Sequence, residues 1–135
     1  MKIQYVPTEA VHQTWPRVEA LLASAIAFSD DYTIEEVKTL VALGQWLLVV
    51  ATDGPDNEIR GAATVWFFNR PGARIATITA IGGRLITNPD TFEQLKTLVR
   101  QFGATALEGA ARASIARLWS QYGFTEKYRI VGVKL

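Results

Sequence analysis

Cysteine is absent from the 135 residues, which excludes disulfides, thiolate catalysis and cysteine metal sites together and leaves the redox compartment open. Histidine is nearly absent. His12 stands alone, cannot build a multi-histidine site and has no paired carboxylates beside it, so it reads as a surface or helix-edge residue and no metal is expected. Long apolar runs are missing as well. The longest, Trp46 to Ala51, falls far short of the roughly 20 residues of a membrane span and reads as a buried strand. Met1-Lys2-Ile3-Gln4 lacks the apolar stretch and cleavage site of a secretory signal, so a soluble, cytoplasmic setting away from membranes is the expectation. Net charge is small too. Fourteen basic and thirteen acidic side chains leave a formal +1, too little for wholesale attraction to nucleic acid or anionic lipid.

What is present is the composition of a folded chain, 49% hydrophobic and 20% charged, which argues against disordered or collagenous classes. The length suits a single domain over residues 1–135 with its own core. Charge is unevenly spread: residues 1–58 hold three basic and nine acidic side chains and residues 59–135 hold eleven and four, so the two parts carry −6 and +7. A basic second half suits either a polyanionic ligand or a self-neutralising fold with solvated faces.

Apolar periodicity gives the element order. Ile3 to Val6 reads as an opening strand and Glu9 to Thr14 as its connection. Pro16 suits a first helical position, with Val18, Leu21, Leu22, Ala25 and Ile26 on one face. Thr33 and Glu36 have capping-box spacing before Val37, Leu40 and Val41, and Gly44 suits a left-handed stop. Three strands follow, Gln45–Thr52, Ala62–Phe68 and Ala73–Ile81, joined by turn-rich segments into an antiparallel meander; on the last, Thr77 and Thr79 either line a cleft or cover the sheet face. Asn88-Pro89 opens a helix carrying Phe92, Leu95, Leu98, Val99 and Phe102 and closed by Gly103. Ala104–Glu108 is a short strand, Ala111–Tyr122 a last helix with Ile115, Leu118, Trp119 and Tyr122 on one face, and Tyr128–Lys134 a closing strand. The order is β-α-α-β-β-β-α-β-α-β in a mixed α/β sheet, part of it parallel because a strand-helix-strand unit needs a crossover.

This order resembles the GNAT superfamily of acyl-CoA-dependent N-acyltransferases. The closest local likeness is Arg117-Leu118-Trp119-Ser120-Gln121-Tyr122-Gly123-Phe124, followed by Thr125-Glu126-Lys127-Tyr128, which is similar to the family's helix ending in Leu-Tyr-x-x-x-Gly-Phe before a last strand. Glu108-Gly109-Ala110-Ala111-Arg112 resembles the run that opens this helix in small, divergent bacteriophage-encoded members. The resemblance implies transfer of an acyl group, such as acetyl from acetyl-CoA, to a small-molecule or protein amine. It implies a cofactor-binding stretch at Ile81, Gly82, Gly83, Arg84, Thr87 and Asn88, where family members hold the pyrophosphate on loop and helix N–H groups.

Two departures go with it. No glycine follows Arg84 at the family spacing and Pro89 has no N–H, so Arg84, Thr87 and Asn88 form either a weaker anion site or plain turn and cap residues. Trp119 stands where the family has its proton-donating Tyr, and indole has no titratable proton. Tyr122, one turn on, is the substitute acid or a core aromatic. Glu108, at a strand end, is either the general base or the partner of Arg112. An acyltransferase is one expectation and a noncatalytic, virion-associated GNAT-fold protein bound to phage structural proteins is its rival. A nucleic-acid module is weaker, because arginines such as Arg60, Arg70, Arg74 and Arg117 form no basic and aromatic stripe.

Overall fold

The first two elements set one face of the fold in the computed structural model, which describes residues 1–135. Strand β1 (Lys2–Val6) leads through Pro7 into helix α1 (Thr8–Ile26). The stretch read as a connection, Glu9–Thr14, is thus the first turns of α1, and Pro16 lies inside the helix. Proline removes one intrahelical bond and costs about 3 kcal/mol or more in a helix interior. Val11, Trp15, Val18 and Leu22 are all buried on one face of this helix, and at about 1.5–3 kcal/mol per buried large side chain their burial outweighs that cost. Helix α2 (Ile34–Ala42) begins as expected with a capping box: the Glu36 N–H donates to Thr33 Oγ1 at 3.2 Å and the Thr33 N–H to Glu36 Oε1 at 2.9 Å.

Five strands then lie side by side in chain order. β2 (Leu47–Asp53), β3 (Glu58–Arg70) and β4 (Ala73–Gly83) extend the antiparallel sheet from β1, and β5 (Ala106–Gly109) joins β4 in parallel after helix α3 (Pro89–Gln101). Asn88 caps α3 by accepting from the Thr91 N–H at 2.9 Å, with Pro89 following as the sequence indicates. Helix α4 (Ala113–Trp119) tightens into a single 3₁₀ turn, Ser120–Tyr122, and stops at Gly123 with φ +91°. Leu118, expected on its apolar face, is exposed.

Helices cover both faces of the mixed sheet. One core gathers Val11, Trp15, Leu22, Val41, Leu48 and Val50 against α1 and α2, and the other gathers Val65, Ile78, Leu85, Phe92, Leu95 and Trp119 against α3 and α4. Trp46 belongs to the first core, whereas Trp66 is exposed and stacked on Phe68 with centroids 4.6 Å apart. The mixed α/β class is as expected, but the closing strand Tyr128–Lys134 does not form. Branched side chains favour a pleated surface only when a neighbouring strand supplies it, and this segment leaves β5 instead of lining it. No helix is long and apolar enough to cross a membrane.

Candidate functional site

The parting of β4 from β5 creates the site. The two strands pair only from Ile75–Ala106 to Ile78–Gly109, whereas β4 continues to Gly83. Thr79 to Gly83 therefore keep an edge with no strand on that side. At the same level, Thr64 pairs with Ala80 and Val65 with Ile78, which leaves Thr79 as an extra, bulged residue. A bulge bends its strand and sharpens the local twist, and here it turns β4 away just where β5 ends. It also changes the phase of the alternation: Ile78 and Ile81 both pack into the α3–α4 core, where simple alternation puts them on opposite faces. The Thr79 hydroxyl lies 2.7 Å from that of Thr64 and 3.1 Å from the Thr64 carbonyl oxygen, which fastens the bulge.

Glycines let α1 close onto the end of β4. A Cβ on Gly82 would stand 2.1 Å from the Leu21 carbonyl oxygen, and Gly83 has φ +69° with its virtual Cβ 2.4 Å from the Arg60 carbonyl oxygen. Ile81 and Gly82 are half-buried and Gly83, Arg84, Thr87 and Asn88 are exposed. The Arg84 N–H donates to the Arg60 carbonyl at 2.8 Å. At the start of α3, the Thr87 and Asn88 N–H groups donate to Thr91 Oγ1 at 3.1 and 3.3 Å, and the Thr91 N–H returns to Asn88 Oδ1. Asp90 adds negative charge in the first turn. Most donors of this helix start already have partners inside the chain.

Trp119 packs at the end of β5 from the α3–α4 side. Its ring would meet a Cβ on Gly109 at 3.0 Å, with Ile78 Cβ at 3.5 Å from the same point, so the missing side chain of Gly109 makes room for the indole at the seam. Tyr122 sits a turn further on, half-buried, its ring 5.6 Å from that of Phe92.

Glu108 projects beside Thr77 on β5. Both its oxygens accept from the Arg70 guanidinium, Oε1 at 3.0 Å from Nη2, and Lys127 Nζ lies 2.9 Å from Oε2. Hydrogen bonds from Arg70 hold its carboxyl at about 2, with Lys127 assisting and partial burial opposing. The same pairing raises Arg70. Arg112, read from spacing as the partner of Glu108, instead stacks 3.7 Å over the Phe28 ring. The sequence did not point to Arg70 and Lys127 as the partners of Glu108. Nothing local signals them, because Arg70 reaches Glu108 across the intervening β4 and Lys127 lies beyond α4.

An open groove of about 670 Å³ lies elsewhere, between β1 and α3, and contains none of the candidate catalytic or cofactor-binding residues. No cluster of metal-ligating side chains is present.

By sequence, no family model and no curated protein matches this chain. Solved structures do match in shape. A ribosomal-protein-alanine N-acetyltransferase from Brucella melitensis biovar Abortus 2308 superposes with TM-score 0.69 at 14% identity, covering all of both chains. The aminoglycoside antibiotic 6'-N-acetyltransferase AAC(6')-Ih from Acinetobacter baumannii gives 0.69 at 16% identity over 99% of this chain and 97% of its own. An aminoglycoside acetyltransferase, meta-AAC0020, from an uncultured soil metagenomic sample gives 0.70 at 13% identity over 99% and 94%. At such identities the likeness is one of fold, and the fold is that of the GNAT acetyltransferases.

Proposed function

We propose that this chain transfers an acyl group, acetyl in the simplest case, from acyl-CoA to an amine held beside the parting of β4 and β5. The supporting observation is the divergence after Ile78 and Gly109 with the bulge at Thr79. An open strand edge offers backbone donors and acceptors to an extended ligand with amide groups, which is the chemistry of the pantetheine arm. The names of the structural neighbours, N-acetyltransferases of an aminoglycoside and of a ribosomal-protein alanine, support an amine as the acceptor.

The fit to the cofactor is uneven. The edge Thr79–Gly83 suits the arm, but the start of α3 does not suit the pyrophosphate, since Thr87, Asn88 and Thr91 already use their N–H groups and Pro89 has none. In this reading the phosphate loop is degenerate, and exposed Arg84 is the cation left to meet that end of the ligand.

Acyl-CoA, when bound, supplies an acyl group activated as a thioester. The chain's own contribution is placement: the β4 edge aligns the arm, and Trp119 with Ile78 excludes water from the seam. Good alignment of two reactants supplies a large share of a rate even with no dedicated acid. Glu108, kept ionised by Arg70 and Lys127, serves as a positioning residue that ties β5 to the end of β3, and Tyr122 is the candidate proton donor.

A second reading draws on the self-capped start of α3 and the indole at Trp119: a noncatalytic GNAT-fold protein, such as a bacteriophage virion or assembly component. Titration calorimetry with acetyl-CoA at moderate salt separates the two. One-to-one saturable binding, weakened about tenfold (~1.4 kcal/mol) in Arg84→Ala, together with amine-dependent release of free thiol, is the expected result. No heat at high ligand concentration would overturn the enzyme reading in favour of the second.

A further inference from the structure

Trp15, Trp46 and Trp119 are buried, whereas the fourth tryptophan, Trp66, is 44% exposed. Register fixes what stands beside it. Trp66 pairs with Thr77 on β4 and Thr77 with Glu108 on β5, so the three side chains form a row across three strands on one face of the sheet. The adjacent row, Phe67, Ala76 and Leu107, packs into the α3–α4 core. The row of Trp66 therefore projects from the opposite face, the side of α1 and α2. The core under those helices reaches Ala62 and Ala80 and stops short of Trp66. The row lies one residue pair before Ile78–Gly109, the last pair before β4 and β5 part.

We propose that the acceptor is a single amine borne on a flat aromatic ring, the ring resting on Trp66 and the amine reaching Thr77; this rests on the acyl-transfer reading and names the class of amine. Trp66 is a braced plate. Its ring stacks on Phe68 with centroids 4.6 Å apart, the Arg70 guanidinium lies 4.9 Å from the Phe68 centroid, and Glu108 fixes Arg70 through two hydrogen bonds. A surface held in place beforehand loses little freedom when a ligand settles on it. A flat ring gains from offset stacking there in a way that a saturated ring does not. Neighbouring strands lie about 5 Å apart, so a short carbon chain joins a ring over Trp66 to an amine at Thr77.

Thr77 supplies the polar handle. The hydroxyls of Thr64 and Thr79 are paired with each other, whereas that of half-buried Thr77 has no partner within the chain and is free to accept from an amine N–H. Charge selects in the same direction. Glu108 is the one carboxylate on the row, and Arg70 and Lys127 both bind it, so no carboxylate is left for a second ammonium group. The excess of positive charge favours the unprotonated form of an amine, which is the form that attacks. In the transfer the nitrogen lone pair forms the C–N bond to the acyl carbon, the C–S bond breaks, and the proton lost by nitrogen ends on the departing sulfur.

The test is calorimetric titration of the full chain, alone and with coenzyme A present, using 2-phenylethylamine, its saturated analogue 2-cyclohexylethylamine, and spermidine. Saturable one-to-one binding is expected for the aromatic amine, about tenfold weaker binding for the saturated ring, and none for spermidine. Trp66→Ala is expected to weaken the aromatic amine about tenfold and Trp66→Phe to restore most of that loss. Thr77→Val, which keeps the shape and removes the hydroxyl, is expected to weaken it as well. Far-ultraviolet circular dichroism establishes that the variants fold. Failure of acetyl-CoA to bind, with Trp66-dependent amine binding intact, overturns the acyl-transfer reading and leaves the ring site standing. Saturable acetyl-CoA binding, with an amine affinity that ignores Trp66, is equal for the saturated ring or is greater for spermidine, overturns this inference alone. Absence of saturable binding of 2-phenylethylamine in both conditions overturns it too.

Discussion

Glu108 touches two cations from distant parts of the chain, and its protonation is accordingly tied to folding. Arg70 holds the carboxyl at about 2 against an ordinary value of 4.5. A group whose folded value is depressed contributes stability above its unfolded value and loses that contribution as pH falls toward the folded one. Thermal melts of the wild type are therefore expected to drop more steeply between pH 4.5 and 2 than those of Glu108→Gln, which has no proton to take up. Parallel profiles would remove the linkage. The carboxylate itself was legible as a strand-end acid, but its partners were not, since the register that brings Arg70 within reach is set by two ladders. Trp119 was legible as a core aromatic; that it fills the space left by Gly109 required the packing.

Among the elements, caps were the most legible features. Thr33 with Glu36, Asn88 with Pro89, and the glycines at 44, 103 and 123 stand where the sequence puts helix ends, because capping is decided within a few residues by orphan backbone groups. The start of α1 was misplaced because Pro16 signals a first turn locally, while the burial that carries the helix through it is tertiary. The bulge at Thr79 was invisible for a related reason: a bulge is a relation between two strands and leaves no mark on one. The approach of α1 to β4 gives a direct check. In Gly82→Ala the new methyl meets backbone, the Leu21 carbonyl oxygen, so α1 must shift. Overpacking of this kind costs about 1–3 kcal/mol, and denaturant melts are expected to show that loss for Gly82→Ala and almost none for Gly54→Ala beyond the cost of its positive φ, since nothing lies within 4 Å of a Cβ there.

For the whole molecule, the mixed α/β architecture was legible because it follows from the succession of periodic segments. The terminal strand was not, because pairing depends on an edge lying beside the segment, which local sequence does not show. Stability is unevenly distributed across the sheet. β3 is paired on both sides from Gly61 to Val65, whereas β5 holds β4 through four residue pairs. Segments with few pairings open at lower free energy than the core. In dilute solution, native-state amide exchange is expected to release Ala106–Gly109 well before the centre of β3, and equal protection of the two would contradict this.

Strand order in the sheet is chain order, and this bears on how the protein comes into being during synthesis. Each of β2, β3 and β4 can dock on a neighbour that has already been made, so antiparallel growth can keep pace with elongation. The parallel β4–β5 pairing comes last, because α3 has to cross over before β5 arrives. Closing such a non-local pairing is slow. The parting of β4 and β5 is accordingly the last part of the sheet to take shape, and a nascent chain acquires it only after the other four strands are in place.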